Sequence, residues 1–158
     1  MKKEVCSGSV KDIDFIYDEL KKDFDEQGIL YRFKYSKDEF RDLLFGERPI
    51  ANVLILLADE QPIGFAIYAI DCRSFTVLGS STLYINDLYI IKSHRRAGAA
   101  TFLFEALKDI AKKEKCGRLE GIVLKDNEGA MDFYEKFLHA RVLSSFNYMR
   151  LELEEKSN

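Results

Sequence analysis

The residues richest in chemical possibility run Ile85-Asn86-Asp87-Leu88-Tyr89-Ile90 and continue through Ile91-Lys92-Ser93-His94-Arg95-Arg96-Ala97-Gly98-Ala99-Ala100-Thr101. An apolar strand carrying one carboxylate gives way to a basic loop, then to small residues, then to a helix beginning near Phe102. A helix N-terminus presents unpaired N–H groups and the positive end of the helix dipole. Small side chains let the backbone approach a ligand, and Arg95 and Arg96 add charge. That combination suits a pyrophosphate. It equally suits a solvated strand-to-helix turn with no ligand, and the spacing leaves both readings open. The pattern matches neither GxGxxG nor GxxxxGK(S/T), so a Rossmann or P-loop nucleotide site gets no support.

Other constellations carry less. His94 and His139 are the only histidines, and neither has a Cys or carboxylate partner at metal-ligand spacing, so the sequence predicts no metal site. Cys6, Cys72 and Cys116 are scattered, without a CxxC pair or a disulfide framework, and read as structural thiols in a reducing compartment. Nothing places one of them beside a histidine as a nucleophile.

These residues must be positioned by a single domain over residues 1–158, long enough to bury a core without staples. The chain is 47% hydrophobic and 32% charged with only 2 Pro, which excludes disordered and collagen-like classes. Its 24 bases against 27 acids leave a net charge of −3, which argues against a broad nucleic-acid-binding surface. No apolar run follows Lys2-Lys3, so no targeting segment is read and a cytoplasmic protein is expected. Val53–Ala58 and Ile63–Ile70 fall short of the roughly 18 residues of a membrane span.

A short strand is read near Val5. Ile13, Ile16, Tyr17 and Leu20 then recur at helical spacing within Val10–Asp25, with Ser9 as N-cap. Ser36 and Glu39 have capping-box spacing ahead of Phe40, Leu43 and Leu44. Asn52–Ala58 and Ile63–Ile70 read as antiparallel strands around an Asp59-Glu60-Gln61-Pro62 turn. Leu83–Ile91 is a third strand. Phe102, Leu103, Ala106, Leu107, Ile110 and Ala111 form a helix stripe that ends in lysines before Gly117. A strand over Leu119–Leu124, a helix through Ala130, Phe133, Tyr134, Phe137 and Leu138, and a final strand or pair over Val142–Leu153 complete the chain. The order β-α-α-β-β-β-α-β-α-β predicts an α/β (α+β) sandwich with a central mixed sheet.

Arg95-x-x-Gly98-x-Ala100 resembles the (Q/R)-x-x-G-x-(G/A) coenzyme A motif of the GNAT superfamily of acyl-CoA N-acyltransferases. Downstream, Asn127-Glu128-Gly129-Ala130-Met131-Asp132-Phe133-Tyr134 is similar to that superfamily's N-x-x-A-x-x-F-Y segment. Leu43–Pro49, Pro62–Tyr68 and Leu83–Tyr89 resemble its spermidine/spermine branch, which includes diamine and thialysine acetyltransferases. The resemblance implies the GNAT fold, with acetyl-CoA wedged where two strands splay apart and paired to the strand holding Leu88 and Ile90. It implies that the N–H groups of Arg96, Ala97, Gly98, Ala99, Ala100 and Thr101 hold the pyrophosphate. Arg95 would order the loop or neutralise phosphate, and Asn127 would bind the pantetheine arm or fix a strand end.

The same resemblance makes Tyr134 the acid that protonates the departing thiolate, where its spacing alone reads as a core aromatic. Asp87 would draw in a cationic amine and accept its proton through a water, where by itself it reads as a strand-edge Asp capping a turn or pairing with a base. Asn86 and Glu26 would line the amine side, with Asp23 and Asp25 near Glu26 extending the negative charge. Asn86 stands where many polyamine-type members have Glu, and Ala97 and Ala100 where glycines are common. The expectation is an acetyl-CoA-dependent N-acetyltransferase for a small primary amine (polyamine, diamine or lysine-like), working by direct attack, without metal, as a homodimer. The alternatives are a protein or peptide amine as acceptor, and a non-catalytic acyl-CoA-binding module.

Overall fold

The computed structural model describes residues 1–153. Two compact units divide the chain, Met1–Ile122 and Val123 onward. In the first, Lys3–Ser7 (β1), Asn52–Ala58 (β2), Gln61–Asp71 (β3), Thr82–Ile90 (β4) and Arg118–Gly121 (β5) form one sheet in that spatial order. The β1–β2, β2–β3 and β3–β4 pairs are antiparallel, and β4–β5 is parallel. A parallel neighbour requires a crossover, here supplied by the helix Ala99–Lys113. The mixed sheet is therefore the one expected from the element order.

Val10–Asp12 is a 3-10 turn that leads into helix Ile13–Glu26 (α1), and Lys37–Phe45 is the second helix (α2). The capping box at α2 forms as its spacing predicts: Glu39 N–H donates to Ser36 Oγ at 3.2 Å, and Ser36 N–H donates to Glu39 Oε2 at 2.8 Å. Ile16 and Leu20 of α1 and Phe40 and Leu44 of α2 pack with Val53, Ile55, Phe65, Ile67 and Tyr89 into one buried cluster. Burying each large apolar side chain contributes about 1.5–3 kcal/mol, which is what holds α1 and α2 to this sheet face. Phe75–Leu78 (α3) is a single short turn of helix between β3 and β4. Ala99–Lys113 (α4) packs on β4, β3 and β2 and buries Leu103 and Leu107.

The hairpin turn is tighter than expected. Asp59 and Glu60 both have positive φ, at 47° and 67°, which is the two-residue form that matches strand twist, so β3 already begins at Gln61. Pro62 is accommodated beside a register shift at Leu56/Leu57. β5 stops at Gly121, short of the expected Leu124.

In the second unit Glu128–Asp132 (α5) runs into a π-helical turn over Phe133–Phe137. The closing strand expected over Val142–Leu153 is not formed. Those residues have no regular structure, and Val142, Leu143, Phe146, Tyr148, Met149, Leu151 and Leu153 are exposed. Apolar residues along a segment do not make a strand by themselves, since a strand exists only where a neighbouring backbone completes its ladder.

Candidate functional site

β4 changes character halfway along. Its parallel pairing to β5 covers only Thr82–Ile85, so Asn86–Ile90 has no strand partner on that side among the described residues. On the other side, Ile67 is opposite Asp87 while Tyr68 is opposite Ile85, which leaves Asn86 as an unopposed bulge residue. A one-residue insertion inverts facing. Asp87 and Tyr89 consequently share the face of Ile67, toward α1, whereas Ile85 shares the opposite face with Tyr68.

Ile91 N–H donates to Ile63 O of β3 at 2.9 Å. Backbone groups alternate sides along a strand, so those of Tyr89 also face β3, and those of Leu88 and Ile90 face the open side. The two positions expected to pair with an acyl-pantetheine arm thus carry outward-facing backbone groups.

Asp87 is pushed up to about 7, by burial first and then by the negative charge of Asp23. Asp23 is raised by burial, opposed by Arg95 and by the hydrogen bond from Gln27 Nε2 to its Oδ2 at 2.7 Å, and pushed further by Glu26. Tyr89 is pushed up to about 12 by burial and by Glu19, whose Oε2 accepts its hydroxyl hydrogen bond at 3.0 Å. Asp87 itself has no hydrogen-bond or ion-pair partner among the described residues. A carboxylate that loses its proton near neutral pH, with its oxygens not engaged elsewhere, can accept a proton from an ammonium or from a bridging water.

After β4, a 3-10 turn over Lys92–His94 carries the chain to α4. Arg95 Nε donates to Ile90 O at 2.7 Å, and its guanidinium lies 5.3 Å from the Tyr89 ring centroid. The left-handed positions of the loop are Arg96, with φ 61°, and Gly98, with φ 74°. Ala97 and Ala100 lie outside the left-handed region, so their methyl groups impose no backbone strain. The first intrahelical bond of α4 runs from Phe102 N–H to Gly98 O at 3.0 Å, and the N–H groups of Ala99, Ala100 and Thr101 precede it. No acidic residue occupies the first turn. The positive helix end is therefore left for an external anion, and the residues fit a pyrophosphate.

The first unit brings Glu26, Asn86, Asp87, Leu88, Ile90 and the Arg95–Thr101 loop into one structural body. Asn127 and Tyr134 belong to the second unit. There Asn127 Oδ1 accepts from Ala130 N–H at 3.2 Å, capping α5, and Tyr134 packs edge-on against Phe133 at 5.4 Å between centroids.

Three features escaped the sequence reading. Glu19 joins Asp23 and Glu26 at i, i+4 and i+7, a spacing that marks one helix stripe and was legible in principle. Lys3 Nζ donates to Ala97 O at 2.8 Å, fastening the loop from β1 across 94 residues of sequence. The Asn86 bulge has no local signature. Among the described residues, no group of three or more His, Cys, Asp or Glu side chains is placed to hold a metal ion, and no helix is long and apolar enough to cross a membrane.

Residues 13–139 match the Acetyltransferase (GNAT) family model. The chain is 28% identical over 107 residues to the thialysine N-epsilon-acetyltransferase of Bos taurus, an alignment covering 65% of this chain and 63% of that protein. It is 33% identical over 95 residues to the L-ornithine N5-acetyltransferase NATA1 of Arabidopsis thaliana, covering 60% of this chain and 40% of that protein. The chain thus spans less than two thirds of either relative's length. In fold it is similar to an integron cassette protein from the mobile metagenome of V. cholerae, with a TM-score of 0.76 at 24% identity, covering 96% of this chain and 93% of the other.

Proposed function

The chain belongs to the GNAT acetyltransferase family, and from that premise we propose that it transfers an acetyl group from acetyl-CoA to the primary amine of a small cationic molecule, a polyamine, a diamine or a lysine-like amine. The observation that carries this reading is the open edge of β4 at Leu88 and Ile90, which leads through the Arg95 loop into the acid-free N-terminus of α4. The bovine and Arabidopsis relatives, named for thialysine and ornithine, support an amine acceptor of this size.

Bound acetyl-CoA supplies an acetyl thioester, whose C–S bond breaks as the amine nitrogen forms the new C–N bond. The outward backbone groups of Leu88 and Ile90 hold the acyl arm along β4. The N–H groups from Arg96 to Thr101 meet the pyrophosphate, and Arg95 keeps the loop in register through Ile90. Asp87 attracts the substrate ammonium and takes its proton, directly or through water, which frees the lone pair for attack. Asn86 and Glu26 line the amine side. Tyr134 gives a proton to the departing thiolate, and Asn127 fixes the start of the helix that carries Tyr134. Alignment of the two substrates supplies most of the acceleration, and no acyl-enzyme is needed.

The reading extends to a single functional domain over residues 1–158, supported by a family match that runs through both compact units. It also includes a homodimer, carried from the resemblance, and a cytoplasmic setting, with which the free thiols of Cys6, Cys72 and Cys116 accord.

The test is acetyl-CoA-dependent release of free thiol across diamines, polyamines, lysine analogues, aminoglycosides and peptide amines. Saturable turnover of a small amine, lost in Tyr134→Phe while acetyl-CoA binding persists, is the expected result. Turnover of peptide amines alone would reassign the acceptor. Binding of acetyl-CoA with no turnover of any amine would make the chain a binding module.

A further inference from the structure

The carboxylates around Asp87 differ in what already engages them. Lys92 Nζ sits 2.8 Å from Glu26 Oε1, and this pairing holds the Glu26 carboxyl below its usual range. Lys22 Nζ is 2.5 Å from Glu19 Oε1, whose other oxygen accepts from Tyr89. Asp23 accepts from Gln27 and feels the charge of Arg95. Of Glu19, Asp23, Glu26 and Asp87, the Asp87 carboxylate is the one with no side-chain hydrogen bond or ion pair among the described residues.

A substrate ammonium approaching Glu19 or Glu26 therefore meets a carboxylate whose charge is already offset by a lysine of this chain, and it must displace that lysine or bind against its repulsion, with little net gain. Approaching Asp87, it meets a carboxylate with no competitor. A polycation draws its affinity from several carboxylates at once, and here Glu19 and Glu26 are each already paired with a lysine.

We propose that Lys92 masks Glu26, so that the site seats one ammonium and selects an acceptor with a single cationic amine over a di- or polycationic one. This inference rests on the amine acetyltransferase reading and narrows its substrate to the lysine-like end. Lys92, on the turn between β4 and the coenzyme loop, is then a specificity-determining residue although it bonds to no reacting atom.

The experiment compares kcat/KM for Nα-acetyl-lysine amide, cadaverine and spermidine, which carry one, two and three ammonium groups, in the native protein and in Lys92→Gln. The native protein should favour the lysine amide. Lys92→Gln frees Glu26 and should raise the spermidine-to-amide ratio about three- to fivefold, the size of one exposed ion pair. Adding Glu26→Gln in the same chain should cancel that gain, a reversal that a folding defect would not produce. Native preference for spermidine, or a ratio unmoved by Lys92→Gln, overturns the masking while leaving the acetyltransferase reading intact. Absence of turnover with all three amines and with the wider panel overturns the underlying reading, and the masking with it.

Discussion

Arg95 donates from Nε to the carbonyl oxygen of Ile90 at 2.7 Å, joining the loop before α4 to the last residue of β4. That carbonyl lies on the open side of the strand, so the guanidinium organises the backbone that the proposed function assigns to the acyl arm. The contact is charge-assisted and partly sheltered, a setting in which one hydrogen bond is worth about 1.5–3 kcal/mol.

Arg95→Lys keeps the charge and loses the fixed fork of donors. The expected outcome is acetyl-CoA affinity weakened about tenfold, measured by calorimetry, with the amine KM changed far less. Equal losses for both substrates would point to general unfolding of the loop instead.

Asp87→Asn should remove most turnover, by about a hundredfold, the usual scale for a proton acceptor. The native rate should rise with pH through about 7 as Asp87 ionises, and the variant should lose that limb. Stability carries the opposite sign. Between about 4 and about 7 the folded Asp87 holds a proton that the unfolded chain has released, so the native protein loses stability as pH rises across that window. Asp87→Asn should therefore melt higher than the native protein at pH 8, with the difference fading near pH 4.

Gly64→Ala places a Cβ 2.6 Å from Tyr89 O and 2.6 Å from Ile90 Cδ1. The Tyr89 oxygen is backbone, so β3 and β4 must separate beside the site. A loss of about 1–3 kcal/mol is expected, read as a lowered midpoint in urea denaturation.

Gly98→Ala meets nothing within 4 Å, yet φ there is +74°. The cost is purely conformational, about 1 kcal/mol, and acetyl-CoA affinity should fall as the start of α4 shifts. Ala97→Gly, at a position outside the left-handed region, should give no gain in affinity. Thermal melts and calorimetry on the pair separate these effects.

Wherever the physical cause is local, it is legible in the chain. The i, i+3, i+4 stripe of α1, the Ser36–Glu39 capping box and the strand alternation of β2 and β3 follow from side-chain periodicity and short-range hydrogen bonding. So do the N–H groups without intrahelical partners at the start of α4, because such groups are a property of any helix start. Val142–Leu153 shows the limit of this logic, since residues expected to form a strand or pair have no regular structure.

Tertiary structure decides what depends on distant partners. Asp87 turns toward α1 because Asn86 bulges against Ile67 and Tyr68, and no neighbour in sequence announces that. Its rise to about 7 needs burial and the charge of Asp23, 64 positions away in the numbering of one chain. Likewise Glu26 is negative in sequence and paired in space, because Lys92 reaches it only once α1 packs on the sheet face beside the end of β4. Charge and periodicity are read along a chain, while desolvation and charge pairing depend on what folding brings within a few ångströms.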